Sequence, residues 1–401
     1  MRRSWRLPVA LVTAVVVAEA AVLALRPRDR GPEPVPVEPR AYFSAEQIEK
    51  AEDFRGGQRW IFLAQTAIGL GVLVLFVRRP PERLAAFKRP VLAGAAVAAA
   101  LSVATGLAAL PLAAVARERA KDVGLVTQDW LGYAGDVAKS QAIGAGFAAL
   151  GGAVLVFGMR RLGRRWWLPG AAVVVAFAAV TTYASPIVLD PLFNEFKRLP
   201  PGELRSDVLD LARRAGVDVG EVYEMDASRR TTAANAYVAG FGSTKRVVLY
   251  DTLVNDFEPA ETRLVVAHEL GHVRHRDLRN GLLWVAIVAP VGMWAAALLA
   301  ERLAPRGGEL GPRAVPAVAL SLALLVPAIT IVSNQLSRDV EQRADAFSLE
   351  LTHDPETFIA FHERLAAKNV SDPDPPAVWR FLFGTHPSTV ERLGMGEAYG
   401  G

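Results

Sequence analysis

Apolar and polar positions in this chain are sorted into long blocks, not into the short alternations of a soluble core. Seven near-continuous apolar runs stand out, at residues 7–25, 60–77, 91–116, 141–159, 166–189, 280–300 and 314–336, and Glu19 is the one charged residue inside them. A helix needs roughly 20 apolar residues to cross about 30 Å of hydrocarbon. The pattern therefore predicts seven spanning helices and a multi-pass membrane protein. Pro111, Pro169, Pro290 and Pro327 fall inside the runs, but neighbouring helices and water can satisfy the carbonyls that a proline frees in a bilayer. The Ala- and Gly-rich runs at 91–116 and 141–159 also fit buried soluble helices, and the class does not depend on either.

The polar segments predict the rest of the layout. The first run follows Arg2, Arg3 and Arg6 and has no small-x-small site before Arg26, so it reads as a retained anchor. Pro27 to Pro39 holds five prolines and predicts an extended, poorly packed connector. Ser44 with Gln47 forms a capping-box pattern that opens a charged helix over 45–55. Linkers follow at 78–90, 117–140, 160–165 and 301–313. The segment 190–279 is the first with room for a soluble domain. It begins with an amphipathic helix over Glu203 to Ala215 that stops at Gly216, followed by β-rich runs at Glu221 to Asp226, Asn235 to Gly240 and Arg246 to Asp251. Pro259 then suits the first turn of a helix that passes through His268 and His272 into the sixth span. Beyond the seventh span, Ser337 to Glu350 reads as another polar helix.

Composition narrows the chemistry. With no Cys in the chain, disulfides, thiol catalysis and Cys-ligated zinc are excluded, so a metal site must use His and carboxylate. The net charge of +4 is small, and the Arg clusters sit beside the spans, where lipid headgroups and topology explain them better than nucleic acid does.

His268-Glu269-Leu270-Gly271-His272 is an H-E-x-x-H pattern within a predicted helix. Residues four apart share a helix face, so both imidazoles can reach one tetrahedral Zn2+, with Glu269 beside them to activate a water. Two solvated histidines on a polar helix are the plainer reading. A metzincin would need a further His at position 278, which is Leu278, and His275 is at the wrong spacing. Farther on, Glu341 and Asp345 lie four apart in the Ser337 to Asp345 stretch. Glu341 can complete a His, His, Glu site there, and Asp345 can take the free N–H of a ligand imidazole. An ordinary charged surface helix fits the same spacing.

These blocks resemble the integral-membrane zinc metalloproteases of the CAAX prenyl protease 1 type, related to the HtpX quality-control proteases. The resemblance rests on His268 to His272, Ser337-Arg338-x-x-Glu341-x-x-Ala344-Asp345, Asn235-Ala236-Tyr237 with Lys245 to Asp251, Asp190 to Asn194, Thr385-His386-Pro387-Ser388 and Glu391-Arg392-Leu393. It covers about 185–394, together with the span pattern and the Tyr42 to Trp60 segment. It implies one Zn2+ per chain on His268, His272 and Glu341, with Glu269 as general base. It also implies an edge strand at Asn235, Ala236 and Tyr237 that pairs with extended substrate, and a bundle enclosing a wide chamber. His386 and Arg392 are candidates to stabilise the oxyanion or brace the site, although each also fits a packed or solvated loop position. Tyr237 fits a core-filling strand residue as well, and His275, His353 and His362 read as exposed polar residues.

The expected fold is mainly α, a seven-helix transmembrane bundle with a gluzincin-type catalytic domain and a small β-sheet at the membrane surface. Its parts would be five spans in 1–189, the first zinc-binding helix in 190–279, a two-span hairpin in 280–336 and the second zinc-binding helix in 337–401. The expected activity is a zinc endopeptidase acting on membrane-associated or lipidated peptides. A site-2-type intramembrane protease also uses H-E-x-x-H, but Arg263, Arg274, Arg276, Asp277 and Arg279 around the motif favour the membrane surface over mid-bilayer. A transporter or scaffold with a relict metal site would have lost a ligand or the base, and none is missing. A roughly twofold Lys/Arg bias between alternating loops puts the catalytic segment outside the cytoplasm, whereas the family resemblance implies a cytosol-facing site. Ala, Arg and Gly usage looks bacterial, where prenylated substrates are not expected, and points to the bacterial cell membrane.

Overall fold

The computed structural model describes residues 5–240, 245–304 and 310–401. Arg2, Arg3 and the tip of the 301–313 loop lie outside the described residues. Helices α1 (Arg6–Leu25), α2 (Ala45–Arg78), α3 (Glu82–Ala85), α4 (Pro90–Asp122), α5 (Trp130–Leu162) and α6 (Trp167–Val188) come first. Strand β1 (Phe196–Arg198), α7 (Glu203–Arg214), β2 (Glu221–Met225), β3 (Ala236–Ala239) and β4 (Arg246–Tyr250) follow. The chain continues as α8 (Asp251–Asp256), α9 (Pro259–Arg274), α10 (Asp277–Leu303), α11 (Val315–Thr352), α12 (Pro355–Lys368), α13 (Ala377–Phe383) and α14 (Thr389–Gly400). Among the described residues seven helices are long and apolar enough to cross a membrane, namely α1, α2, α4, α5, α6, α10 and α11. Each falls on one of the seven expected runs.

The two Ala/Gly-rich runs form membrane helices because their small residues let two backbones approach. A Cβ on Gly152 of α5 would stand 2.4 Å from the Gly94 carbonyl oxygen of α4. Larger residues there would drive the pair apart. In the half of the bundle away from the sheet, an apolar cavity of about 830 Å3 lies between α2, α4, α5, α6 and α11, lined by Leu101, Phe157 and Leu322 among others.

The extramembrane part is built on a sheet of order β1-β2-β4-β3, antiparallel except for the parallel β2–β4 pair, so β3 is an edge strand. Its core joins Val208 and Leu211 of α7, Val222, Val247 and Leu249 of the sheet, Leu264, Val266 and Leu270 of α9, and Leu349, Phe358 and Met395 of the C-terminal helices. Residues on both sides of the α10–α11 hairpin thus share one core.

Four expectations are corrected. The charged helix over 45–55 does not end there: capped by Ser44 and Gln47, it runs on as the 34-residue α2. The 117–140 linker shrinks because α4 continues to Asp122 and Asp129 caps α5 by accepting from the Gly132 amide at 2.7 Å. The polar helix after the seventh span is the same helix as the span, the 38-residue α11. Helical backbone satisfies itself across the membrane boundary, so a change in polarity need not end it. The proline-rich connector is extended but well packed. Arg30 Nη1 meets Asp339 Oδ1 at 2.6 Å, the Val35 amide donates to the Gly394 carbonyl at 3.1 Å, and Phe43 is buried against Ala366 and Leu393. Residues 27–43 therefore strap α11 and α14 together. Position 394 must be glycine for this, since a Cβ there would lie 2.0 Å from the Val35 carbonyl oxygen.

Candidate active site

Helix α9 starts with Pro259 at its first position and a Glu258/Glu261 capping box, the Glu258 amide donating to Glu261 at 2.7 Å. Leu264, Val266, Ala267 and Leu270 turn one side into the core, which directs His268, Glu269 and His272 towards α11. The helix then stops at Arg276, whose left-handed φ of 59° lets the chain restart as α10 with Asp277 folded back beside His272. Helix α11 carries Glu341 and Asp345 on the face turned to α9.

His268 Nε2 and His272 Nε2 lie 3.2 Å apart, and each faces Glu341, at 3.4 Å and 3.5 Å. A tetrahedral ion with bonds of about 2.0–2.1 Å has ligand edges of about 3.3–3.4 Å, so these three groups form one face of such a polyhedron. The outer ring nitrogens are both held by carboxylates: His268 Nδ1 is 2.8 Å from Asp345 Oδ1, and His272 Nδ1 is 3.0 Å from Asp277 Oδ2. With the proton on each Nδ1, both Nε2 lone pairs point at the same spot beside a third anion. That arrangement is repulsive unless a cation sits between them, so the donor set fits a metal. A carboxylate oxygen of Glu269 lies within 4.8 Å of a ring nitrogen of both His268 and His272, which sets this acid beside the pair.

The charge balance points the same way. Burial opposes charge on His268, yet Asp345 and Glu341 outweigh it and raise its pKa to about 10. The pocket demands a positive charge, supplied by a proton or by an ion. Burial raises the Glu269 carboxyl, with His268 and His272 opposing, so it is a stronger base than a free glutamate. Arg392 on α14 sets Nη2 3.2 Å from Glu341 and Nε 2.9 Å from Asp345, tying both acids together.

His386 stands at the rim, 57% exposed, with Nε2 3.3 Å from Glu341 and Nδ1 2.8 Å from the Thr385 hydroxyl. Asn235 immediately precedes β3, while Ala236 and Tyr237 belong to it and pair with Leu249 and Val248. Tyr237 is half-buried and donates its hydroxyl to Asp190 at 3.0 Å, joining the edge strand to the end of α6; burial, helped by Asp190, raises its pKa. Asp277, read in the sequence only as a charge flanking the motif, pairs with Arg343, and neither was read as part of the site. Asp277 is five residues past His272 and across a helix break, where one-helix periodicity gives no signal. Two histidines depart from the exposed reading. His362 is buried edge-on to Phe358 and Phe361 at 4.4 and 5.0 Å, and burial plus Arg392 lower its pKa to about 3. His275 is half-buried on Phe347, bonded to the Gly271 carbonyl at 3.0 Å. His353 is exposed.

Comparison with known proteins meets this geometry from another direction. Residues 199–395 match the model of peptidase family M48, and residues 29–195 match the CAAX prenyl protease N-terminal model of five membrane helices. The Bacillus subtilis uncharacterized metalloprotease YhfN is 32% identical over 304 residues, covering 74% of this chain and 71% of that protein. The chain belongs to peptidase family M48. It is therefore a multi-pass membrane metalloprotease, and the bacterial relative agrees with the bacterial reading. CAAX prenyl protease 1 of Saccharomyces cerevisiae is 28% identical over 251 residues, 57% of this chain and 54% of that one. The Arabidopsis thaliana homolog is 30% identical over 227 residues, 55% and 53%. The chain thus spans about half the length of these two relatives. The crystal structure of S. mikatae Ste24p superposes with a TM-score of 0.76 over 99% of each chain at 18% identity, showing the same fold. A site-2-type protease and a non-catalytic transporter drop out as readings.

Proposed function

We propose that the chain is a zinc endopeptidase in which His268, His272 and Glu341 hold the ion and Glu269 is the general base. The observation that carries this is the convergence of two imidazole lone pairs and one carboxylate at tetrahedral edge distances. Zinc bound there would polarise the scissile carbonyl and lower the pKa of a water towards about 7. Glu269 takes the proton from the attacking water and passes it to the leaving amine. Asp345 and Asp277 fix the two ring orientations, and Arg392 keeps the Glu341–Asp345 pair from repelling itself apart. His386, bonded through Nδ1 to the Thr385 hydroxyl and with Nε2 facing Glu341, is placed at the rim where it could turn Nε2 towards the developing oxyanion. The open edge of β3 supports main-chain pairing with an extended substrate at Asn235, Ala236 and Tyr237. Residues 190–279 and 337–401 act as one catalytic unit, on a scaffold formed by 1–189 and 280–336.

The substrate we infer is a peptide brought to the site by its association with the bilayer, lipidated or not. The site sits where α9 passes into spanning α10 and where spanning α11 leaves the membrane. The experiment compares hydrolysis of a farnesylated peptide, its unmodified twin and an unfolded protein by detergent-purified enzyme. At least one should be cleaved, with loss of activity on chelation and recovery with zinc. Chelator-insensitive cleavage, or no cleavage of any of the three by zinc-loaded protein, would contradict the proposal.

A further inference from the structure

The apolar cavity of about 830 Å3 in the bundle lies well away from the metal site. Its lining residue on α11 nearest to Glu341 is Ala323, eighteen positions earlier, or about 27 Å along a helix that rises 1.5 Å per residue. We propose that this cavity binds an anionic phospholipid of the leaflet opposite the active site, with one acyl chain inside it and the phosphate on Arg161 and Arg165 at its mouth. Such a site is independent of which peptides the enzyme cuts.

Two splayed helices open the cavity to the bilayer. Helix α5 packs along α4 and α6 along α10, while α5 and α6 touch little although a short turn joins them. Phe147 and Phe177 bridge the gap edge-on, centroids 5.4 Å apart, just beyond Ala148 and Val174, the lining residues nearest the sheet on these two helices. The cleft ends there on the side of the sheet and extends the other way to Leu162 and Trp166 at the turn. From Ala148 to Leu162 the α5 wall runs about 21 Å, enough for a chain of one leaflet, which spans about 15 Å. A Cβ on Gly69 or Gly151 in the lining would meet nothing within 4 Å. A void this large forfeits the dispersion contacts of the side chains around it, and in a bilayer the molecules at hand to fill it are acyl chains.

The mouth is cationic. Arg160 and Arg161 end α5, and Arg164 and Arg165 belong to the turn. Glu301 engages Arg164 at 2.6 and 3.0 Å. Among the described residues no acid pairs with Arg161 or Arg165, and both are exposed. Arg161 sets its guanidinium over the ring of Phe157, Cζ 5.5 Å from the centroid, and Phe157 lines the cavity. This holds a charge where a chain would enter. Arg165 stands between the lining residues Leu162 and Trp166, and tryptophan is a residue that settles at headgroup depth. An apolar slot that ends in uncompensated guanidinium groups matches a molecule with an apolar chain and an anionic head.

The test uses the full-length protein in neutral detergent, with phosphatidylglycerol and phosphatidylcholine of the same chains as probes, read by native mass spectrometry and by the shift in thermal unfolding. Phosphatidylglycerol should bind about tenfold tighter than the lipid without net charge. Arg161→Gln combined with Arg165→Gln should bring the two within about twofold, a ratio internal to one protein. Gly151→Leu puts a side chain into the cavity and should lose both lipids; should it fail to fold, Gly69→Leu fills the same space from the α2 wall. Glu269→Gln should bind lipid as the wild type does. Equal binding of the two lipids, a preference unchanged in the double arginine variant, or full lipid binding by the folded leucine variants would overturn the site. Displacement of phosphatidylglycerol by a farnesylated peptide but not by its unmodified twin would assign the cavity to a substrate's lipid and overturn it as well.

Discussion

Replacing Asp345 by Asn keeps the side-chain shape and removes one charge at a position where 1% of the side chain is exposed. The carboxylate stands 2.8 Å from His268 Nδ1 and 2.9 Å from Arg392 Nε. A hydrogen bond to a charged group contributes about 1.5–3 kcal/mol and a neutral one about 1, so the ring loses roughly 1–2 kcal/mol of support for the form with Nδ1 protonated. If the new amide turns its NH2 to Nδ1, the ring proton moves to Nε2, where the lone pair is needed. The weakened partner also leaves Arg392 less compensated beside the ion. These effects act in one direction, and the zinc dissociation constant should rise about 10 to 100-fold, or about 1.4–2.8 kcal/mol. Competition with a fluorescent chelator measures it, and turnover at saturating zinc should fall less than affinity does. A folded Asp345→Asn protein with wild-type zinc affinity would refute the role given to this residue.

Glu341→Ala should leave a two-histidine site, and elemental analysis after dialysis should find well under one zinc per chain; full occupancy would place the third ligand elsewhere. Gly394→Ala forces a Cβ to within 2.0 Å of the Val35 carbonyl oxygen, so the strap must shift and the fold should lose roughly 1–3 kcal/mol in thermal unfolding. The Tyr42 phenol, raised to about 12 by burial and by its hydrogen bond to Glu397, stabilises the strap in its neutral form. That contribution is complete below about pH 10 and is lost as pH rises through about 12, so Tyr42→Phe should flatten this part of the stability profile in denaturation curves.

Seven helices were legible because the bilayer imposes one long apolar run per crossing, and a single Glu19 is the only charge that interrupts the signal. The H-E-x-x-H helix was legible because i, i+4 spacing is local, and Pro259 marked its start. Glu341 and Asp345 stand four apart in the same way; that spacing made them candidates alongside an ordinary charged surface helix, and the family resemblance favoured joining them to α9. What escaped was non-local. Asp277 reaches His272 only because Arg276 turns left-handed, and Arg30 reaches Asp339 across 309 residues. Strand β1 has three residues, two of them basic, and offers no alternation to read. The burial of His362, by contrast, had a local signal that went unread: it shares the buried face of α12 with Phe358, Phe361 and Ala366 at i, i+3, i+4 spacing.

The most direct test of the central claim is a paired measurement on Glu269→Gln: zinc content and peptide hydrolysis on one preparation. The amide cannot accept the attacking water's proton, while His268, His272 and Glu341 are untouched. The account predicts one zinc per chain, as in the wild type, and hydrolysis lowered by at least about a thousandfold. Near-normal turnover by the zinc-replete variant would contradict it.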